Sequence, residues 1–362
     1  MKCVSHQQAS QLLHNKFIVV LGDSIQRSVY KDLVLLIQKE KYLTLRQLKS
    51  KGEMSFEQDC LVEGGCLSQM HNGTQYREVR QFQSAHHLIR FYFVTRIYSR
   101  YMQSILDDFC HGLKPDVVIV NSCVWDISRY NSSWIDDYKK NLYTFFDELR
   151  TILPEESLVI WNLTMPLAEK IKGGFLVPEH KAPQLRYDVI EANFYSGTLA
   201  DTHGMDVLDL HFQFRFSLHH RTNDGVHWNA IAHRRITSLL LQHAAQAWGV
   251  SMPCPLRAVG EEEDWEHSHT HTQTNKRKKQ RGSPTLRQGL YNACCRCGGI
   301  KKKQLFFFFC LSSSSHHFHI LLVFVIRAPV PFHSCPVFHR EVPNQKKLQQ
   351  LQGGVIQQFP PL

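Results

Sequence analysis

The sequence predicts an α/β protein with a mainly parallel sheet, on the basis of three observations. Short apolar runs alternate with segments of helical spacing from residue 16 to about residue 250. The run 117–120 is apolar at every position, which is typical of a parallel strand buried on both faces. Gly22-Asp23-Ser24 directly follows the first apolar run, at the place where an open α/β sheet binds its ligands.

The apolar runs predict strands in chain order at 17–21, 88–94, 116–121, 157–163 and, briefly, near Val207 and Leu208. Between them, apolar residues at helical spacing predict helices at 26–39, 97–112, 134–151, 184–199 and 228–248. Strands that alternate with helices indicate βαβ units and a right-handed, doubly wound sheet. Residues 50–85 are polar and contain glycine, so we interpret them as a long functional or mobile loop.

Charge divides the 362 residues into two predicted parts. After Val259 the chain carries 14 of its 42 Lys and Arg and 6 of its 32 Asp and Glu, so this tail holds +8 of the net charge of +10. We therefore predict a nearly neutral folded domain at 1–255 and a basic, low-complexity tail at 256–362. We expect the tail to be disordered, because its composition offers no pattern that would bury a core.

The tail suggests partners only weakly. The basic run 276–281 matches a nuclear address or a nucleic-acid patch, but a solvated tail is the preferred interpretation and no nucleic-acid partner is expected. The apolar stretches in 305–326 are interrupted by polar residues, so no membrane partner is expected. The polar residues 1–16 do not predict a signal peptide, and the 11 cysteines lack framework spacing. We expect a cytoplasmic location, with a nuclear one as the alternative.

Ser24, Asp224 and His227 supply the side chains of acyl-transfer chemistry. A serine hydroxyl is a weak nucleophile until a base takes its proton, and the base needs a carboxylate to fix its tautomer. We therefore expect Ser24 as nucleophile, His227 as base and Asp224 as its partner. No Gly-x-Ser-x-Gly sequence surrounds Ser24, which argues against the α/β-hydrolase arrangement. The alternative is a turn serine and a helix-capping aspartate.

Four residues are candidates for the donors that would stabilise an oxyanion. Ser24 at a helix N-terminus could offer its backbone N–H. Gly64 and Gly65 could bring a second backbone N–H close to a ligand, because glycine permits close approach of the main chain. Asn121, at the end of the third predicted strand, could add a side-chain amide; otherwise it forms a strand-end turn.

Two further residues at the same predicted sheet edge are candidates for substrate binding. Trp125 could form the wall of a sugar or acyl pocket, or it could serve packing. Asp126 could orient substrate, or it could cap the next helix. Histidines are frequent between residues 203 and 233, but none shows the spacing of a helical metal site. No metal is therefore expected.

The motifs taken together resemble those of the SGNH (GDSL-type) hydrolases. Within that superfamily, the chain is most similar to the PC-esterase domain-containing proteins over about residues 10–253. The stretches that carry the resemblance are Gly22-Asp-Ser-Ile-Gln-Arg-Ser28, Leu61-Val-Glu-Gly-Gly65, His71-Asn-Gly-Thr-Gln-Tyr-Arg-Glu-Val-Arg80, Asn121-Ser-Cys-Val-Trp-Asp126, Asn193-Phe-Tyr-Ser196 and Asp224-Gly-Val-His-Trp228.

The resemblance implies a flavodoxin-like, three-layer α/β/α fold and cofactor-free, serine-dependent ester hydrolysis by Ser24, His227 and Asp224. It implies an acyl ester of a carbohydrate or small molecule as substrate, with O-acetyl esters as one option. The second conserved block of the superfamily supplies a glycine, which Gly64 or Gly65 matches loosely. The third block is usually Gly-x-Asn-Asp, and the corresponding sequence here is Asn121-Ser-Cys-Val-Trp-Asp126. The departure keeps a second hypothesis open: an inactive module of the same fold that binds a ligand or protein.

Overall fold

The computed structural model describes residues 4–130, 133–172 and 183–252. They form one seven-stranded sheet in the order β2-β3-β4-β1-β5-β6-β7. The strands are β1 (Lys16–Gly22), β2 (Cys60–Gly64), β3 (Glu78–Gln83), β4 (His87–Phe93), β5 (Val117–Val120), β6 (Leu158–Asn162) and β7 (Asp206–Leu208). Strands β4, β1, β5, β6 and β7 pair in parallel, in the flavodoxin order, and β3 is antiparallel to both β2 and β4.

The helices of the described residues are α1 (His6–Leu12), α2 (Ser24–Gln38), α3 (Leu45–Lys49), α4 (Arg100–His111), α5 (Val124–Arg129), α6 (Trp134–Ile152), α7 (Leu185–Thr202), α8 (Leu210–Phe214) and α9 (Ala230–Ala247). Two single 3-10 turns lie at Gly65–Leu67 and Leu218–His220. Helices α1, α2 and α9 contact one another, and so do α4, α5, α6 and α7.

The two groups of helices cover opposite faces of the sheet. Ile160 of β6 belongs to the core that includes Val29 of α2 and Ile236 of α9. The next residue, Trp161, packs its ring at 5.0 Å from Phe146 of α6. Because successive side chains of a strand point to opposite faces, the sheet lies between two helical layers. The predicted three-layer α/β/α fold with a mainly parallel sheet is therefore confirmed.

The long predicted elements agree with the structure to within a few residues, but the loop predicted at 50–85 was wrong. This segment contains β2 and β3, which extend the sheet by an antiparallel pair, and also the 3-10 turn. The pattern was misleading because β3 buries Glu78 and Arg80 completely. Arg80 donates to Asp59 and Glu78, and Glu78 accepts from Arg27, so these charges are buried in pairs.

The short helices α1, α3, α5 and α8 were also not predicted. Each has seven residues or fewer, and helical spacing over one or two turns is too short to recognise. Side-chain caps define the starts of α1 and α3. The side chain of Ser5 accepts from the N–H of Gln8, and that of Thr44 accepts from the N–H of Gln47. The predicted tail at 256–362 lies outside the described residues.

Candidate active site

Ser24 lies where β1 ends and α2 begins, and the two preceding residues build this turn. Asp23 is the N-cap of α2, since its carboxylate accepts from the N–H of Ile25 over 2.8 Å. Gly22 has φ +152°, and a Cβ there would lie 2.3 Å from Gln26 Cγ and 2.7 Å from the carbonyl oxygen of Asn121. Glycine is therefore required for the close approach of β1, β5 and α2 that exposes Ser24 at the sheet edge.

The structure brings Ser24, His227 and Asp224 into one hydrogen-bonded row. Ser24 Oγ lies 2.8 Å from His227 Nε2, and His227 Nδ1 lies 2.8 Å from Asp224 Oδ2. Because an ionised carboxylate can only accept, Nδ1 carries the proton and Nε2 accepts from the serine hydroxyl. This is the tautomer in which an imidazole can act as general base toward Ser24.

Asp224 is held as an ionised carboxylate by its neighbours. Burial alone would raise the pKa of Asp224, but the hydrogen bonds it accepts from the side chain of His227 and from backbone N–H groups bring that pKa well below its ordinary value. The N–H groups of Val226 and His227 and the hydroxyl of Thr222 all donate to Oδ1 over 2.8–2.9 Å. Oδ2 is thereby left to His227, whose ring orientation is fixed.

The loop that carries Asp224 and His227 is closed by backbone hydrogen bonds. The N–H of Thr222 donates to the carbonyl of His227 over 2.8 Å, and Arg221 forms a β-bridge with Trp228. On its outer side, the N–H of Lys172 donates to the carbonyl of Asp224 over 2.9 Å. His227 and Asp224 therefore lie on a turn that hydrogen bonds hold in place directly before α9.

A shallow depression is lined by Asp23 and Ile25, the two chain neighbours of Ser24, although Ser24 and His227 themselves are not part of its wall. Its volume is about 360 Å³ including the space open to solvent. Its walls are mainly apolar side chains from the β5, β6 and β7 ends of the sheet and the Asp224–His227 loop, with a few polar groups: Asp23, Ile25, Gln26, Asn121, Val124, Leu163, Thr164, Met165, Leu167, Leu210, Val226 and Trp228. An apolar site with few polar groups is typical of small-ligand binding.

Ser24 and Asn121 lie together at the carboxyl edge, as expected from neighbouring parallel strands. Within the described residues, the backbone N–H of Ser24 has no protein acceptor, as expected for the first residue of a helix. Asn121 is buried, and its Nδ2 donates to the carbonyl of Asn162 over 2.8 Å and to Thr164 Oγ1 over 3.0 Å. Both amide hydrogens of Asn121 are thus already used inside the protein.

Gly64 and Gly65 do not lie beside Ser24, which corrects the expectation for them. β2 lies at the sheet edge, separated from β1 by β3 and β4, so about 14 Å of sheet lies between the two strands. The N–H of Gly65 donates to the carbonyl of Arg77 over 3.0 Å. The φ of Gly64 is +69°, and a Cβ there would lie 2.1 Å from the carbonyl oxygen of Arg77. The two glycines serve the turn after β2.

Trp125 and Asp126 point into the protein, so neither lines the depression, whose wall is formed by Val124 instead. Trp125 is buried, with its ring 6.0 Å from that of Phe93. The carboxylate of Asp126 accepts from the N–H of Ile97 over 3.1 Å and from the hydroxyl of Ser122. Burial raises the pKa of Asp126 to about 7. The structure therefore assigns both residues to the packing between α5 and the loop after β4, which corrects the substrate-binding expectation.

Sequence reasoning missed three residues of the site. Gln26 is buried in the wall of the depression, and its Oε1 has no hydrogen-bond partner among the residues the structure describes. Thr222 positions Asp224, and Asp23 caps the helix that begins at Ser24. The position of Gln26, two residues after Ser24 in the first turn of α2, is a signal that could have found it. In the described segments, no group of three or more His, Cys, Asp and Glu side chains is placed to hold a metal ion.

Solved structures match part of the chain at low sequence identity and with low TM-scores. A lipase/acylhydrolase from Enterococcus faecalis has 13% identity and a TM-score of 0.37, covering 64% of this chain and 96% of that one. An acetyl xylan esterase, AlAXEase, has 20% identity and a TM-score of 0.38, covering 63% and 99%. Scores below 0.5 say nothing further about activity or substrate. No family model matches the chain.

Curated proteins match it much more closely. PC-esterase domain-containing protein 1A of Mus musculus is 58% identical over 250 residues, which cover 68% of this chain and 56% of that protein. PC-esterase domain-containing protein 1B of Homo sapiens is 54% identical over 250 residues, covering 68% and 58%. The chain thus spans little more than half the length of the curated relatives it matches. It has an esterase-like fold, and over the matched residues it belongs to the family of PC-esterase domain-containing proteins.

Proposed function

We propose that this chain is a serine esterase that hydrolyses acyl esters. The observation that carries the proposal is the continuous hydrogen-bonded row from Ser24 Oγ through His227 to Asp224, with 2.8 Å at both contacts. If Ser24 were only a turn serine and Asp224 only a helix cap, we would not expect both to contact the same histidine in the tautomer of a general base. Nucleophile, base and orienting carboxylate are the parts that acyl transfer requires.

The reaction proceeds in two steps. Ser24 Oγ attacks the ester carbonyl carbon while its proton passes to His227 Nε2, and the alcohol leaves with that proton. Water then attacks the acyl-Ser24 ester while His227 Nε2 takes its proton, and that proton returns to Ser24 Oγ as the acyl–oxygen bond breaks and the acid is released. Asp224 stays ionised throughout, because its pKa is held low, and it stabilises the imidazolium of His227 without taking its proton.

The oxyanion of the tetrahedral intermediate needs donors that are already in place. The backbone N–H of Ser24, at the positive end of α2, is the first donor we propose. Asn121 is the second, and it would have to exchange its hydrogen bond to Thr164 Oγ1 for one to the oxyanion. Of its two acceptors, the hydroxyl is the one that can turn to other partners, since the carbonyl of Asn162 is fixed by β6.

The mainly apolar depression favours a short acyl chain, so O-acetyl esters of carbohydrates or small molecules are the first substrates to test. Gln26 offers a buried amide beside Ser24, which suits a hydroxyl-bearing alcohol half. The test is hydrolysis of p-nitrophenyl acetate and O-acetylated sugars by wild type and Ser24→Ala. We expect the variant to lose about 10³-fold or more in kcat/KM. Equal rates for the two proteins would rule the proposal out.

A second candidate function is a catalytically inactive module that binds a ligand or protein through the same depression. The occupied amide of Asn121 and the distance of Gly64 from Ser24 favour it, because they leave the N–H of Ser24 as the single free donor we identify in the described site. Such a module would bind an acetylated ligand without turnover, and Ser24→Ala would leave its affinity unchanged.

A further inference from the structure

A group of exposed apolar side chains lies on either side of the Asp224–His227 loop in the chain. Phe216 is 82% exposed and Phe212 is 50% exposed, and Leu218 and Ile231 are 42% and 40% exposed. Large apolar side chains this exposed are unusual when several lie together. Phe212 belongs to α8, Phe216 to the turn after it, Leu218 to the following 3-10 turn and Ile231 to the first turn of α9.

Contacts between these elements make the cluster one surface. The guanidinium of Arg215 lies 3.4 Å from the ring centre of Phe212 and 4.4 Å from that of Phe216. Arg235 Nη1 lies 3.4 Å from Ser217 Oγ, which ties α9 to the loop. Ile231 lies one turn before Arg235 and shares its helix face. The aromatic–basic surface, as we call it, consists of Phe212, Arg215, Phe216, Leu218, His219, Ile231 and Arg235.

The charge on this surface is mainly positive, although Asp209, the N-cap of α8, accepts from the N–H of Phe212 over 2.8 Å. Between Leu210 and Val250 the chain contains four arginines and six histidines, and Asp224 is the only acidic residue. The carboxylate of Asp224 is committed to His227. Arg215 and Arg235 therefore present two cations beside exposed hydrocarbon, and the net positive charge of this segment would attract an anionic partner.

We propose that the aromatic–basic surface docks the protein on anionic lipid membranes. Protruding phenylalanines and aliphatic residues beside arginines are suited to the boundary between headgroups and acyl chains. Each arginine gains from the negative surface potential of such a leaflet. In the described part of the chain no helix is long and apolar enough to cross a bilayer. The sequence alone gave no reason to expect it, because the exposure of these side chains depends on the fold.

A single-stranded nucleic acid is the less suitable occupant. Bases stack on open aromatic faces, but Arg215 already covers a face of Phe212 and of Phe216. Leu218 and Ile231 offer nothing for a base to stack on, whereas hydrocarbon would contact them favourably. Docking on lipid would also hold the site at the headgroup level. Arg221 forms a β-bridge with Trp228, and the N–H of Thr222 donates to the carbonyl of His227. These contacts connect the surface directly to the loop that carries His227.

The test is co-sedimentation of the full chain with vesicles. One set is phosphatidylcholine alone, and the other is phosphatidylcholine with phosphatidylserine. Because the basic run 276–281 could itself attract anionic vesicles, its Lys and Arg residues are replaced by Gln in every protein compared. We expect binding to the anionic vesicles, a loss of about tenfold or more for Phe212→Ser with Phe216→Ser, and a loss of about fivefold for Arg215→Gln.

Matched controls exclude general effects. Tyr143→Ser removes a comparably exposed aromatic residue from α6, in the other helical layer, and Arg46→Gln removes an exposed cation from α3. Both should bind like the parent, and so should Ser24→Ala, because docking does not depend on the ester chemistry. The proposal is overturned if the folded parent binds no vesicle, if the phenylalanine variant binds like Tyr143→Ser, or if these substitutions weaken binding to a single-stranded oligonucleotide and leave vesicle binding unchanged.

Discussion

Arg234 of α9 and Asp32 of α2 form a buried bidentate ion pair that joins the helix carrying Ser24 to the helix that follows His227. Arg234 Nε donates to Asp32 Oδ2 over 3.0 Å and Nη2 to Oδ1 over 3.2 Å. Both side chains are almost completely buried. The two halves of the site come from positions 203 residues apart, and this pair fixes the helices behind them.

Removing one partner of this pair should strongly destabilise the fold. In Asp32→Ala the guanidinium of Arg234 would stay buried without its counter-charge, so we expect the free energy of unfolding to fall by about 3–5 kcal/mol. Urea unfolding followed by circular dichroism measures this. Replacing both partners, Asp32→Leu with Arg234→Met, should recover most of the loss. A double variant as unstable as the single one would show that the ion pair is not the source of the effect.

Asp224→Asn should abolish most of the proposed activity while leaving Ser24 and His227 in place. An asparagine amide can donate to Nδ1, which favours the tautomer with a proton on Nε2, where no lone pair remains for Ser24. We expect kcat to fall by about 10³- to 10⁴-fold, as in other serine triads. The rate of acetyl ester hydrolysis measures it, with Thr222→Val as the control that removes a single hydrogen bond to Asp224 and should cost far less.

Gly64→Ala distinguishes a structural role of this glycine from a role in binding the oxyanion. The new Cβ would meet the carbonyl of Arg77 at 2.1 Å and the residue would have to keep φ +69°, so stability should fall. Gly249→Ala is the matched control, with φ +67° and nothing within 4 Å, and it should cost less. At a temperature where both variants are folded, kcat for acetyl esters should equal that of wild type. A large loss of kcat in the folded Gly64→Ala protein would return Gly64 to the oxyanion site.

Asp126→Asn should change the pH dependence of stability. The folded pKa of Asp126 is about 7 against an ordinary value of 3.8, so the folded state holds this proton more tightly. The contribution is fully present below about pH 4 and is lost as the pH rises toward 7. Asparagine cannot ionise, so the free energy of unfolding of the variant should increase relative to wild type between pH 4 and about pH 8. A difference that does not change with pH would contradict the buried position, and a changed KM would favour substrate binding.

The central sheet could be predicted from the sequence because its strands carry their own signal. Val117 to Val120 is apolar at every position and can lie only in an interior. Strand β3 could not be predicted, since Glu78 and Arg80 look like surface residues until their partners Arg27 and Asp59 are known. Those partners are 21 to 51 residues away in the chain, and no local pattern contains them.

The residues of the site also fall into those that the local sequence could identify and those that depend on tertiary packing. Ser24, Asp224 and His227 could be found because their roles demand specific residue types after the first strand and before the last helix. The roles considered for Gly64, Trp125 and Asp126 depended on which strand lies beside β1 and which way α5 turns. Strand order and side-chain direction follow from tertiary packing, so residue type alone could not decide them.

Fluorophosphonate labelling followed by intact-mass measurement tests the triad most directly, because the reagent reacts with an activated serine and not with an ordinary one. Wild type, Ser24→Ala and His227→Ala are compared after circular dichroism has shown that each is folded. The proposed mechanism predicts one label per wild-type chain and none on either variant. A folded wild type that takes no label, or a Ser24→Ala protein that is still labelled, would contradict it.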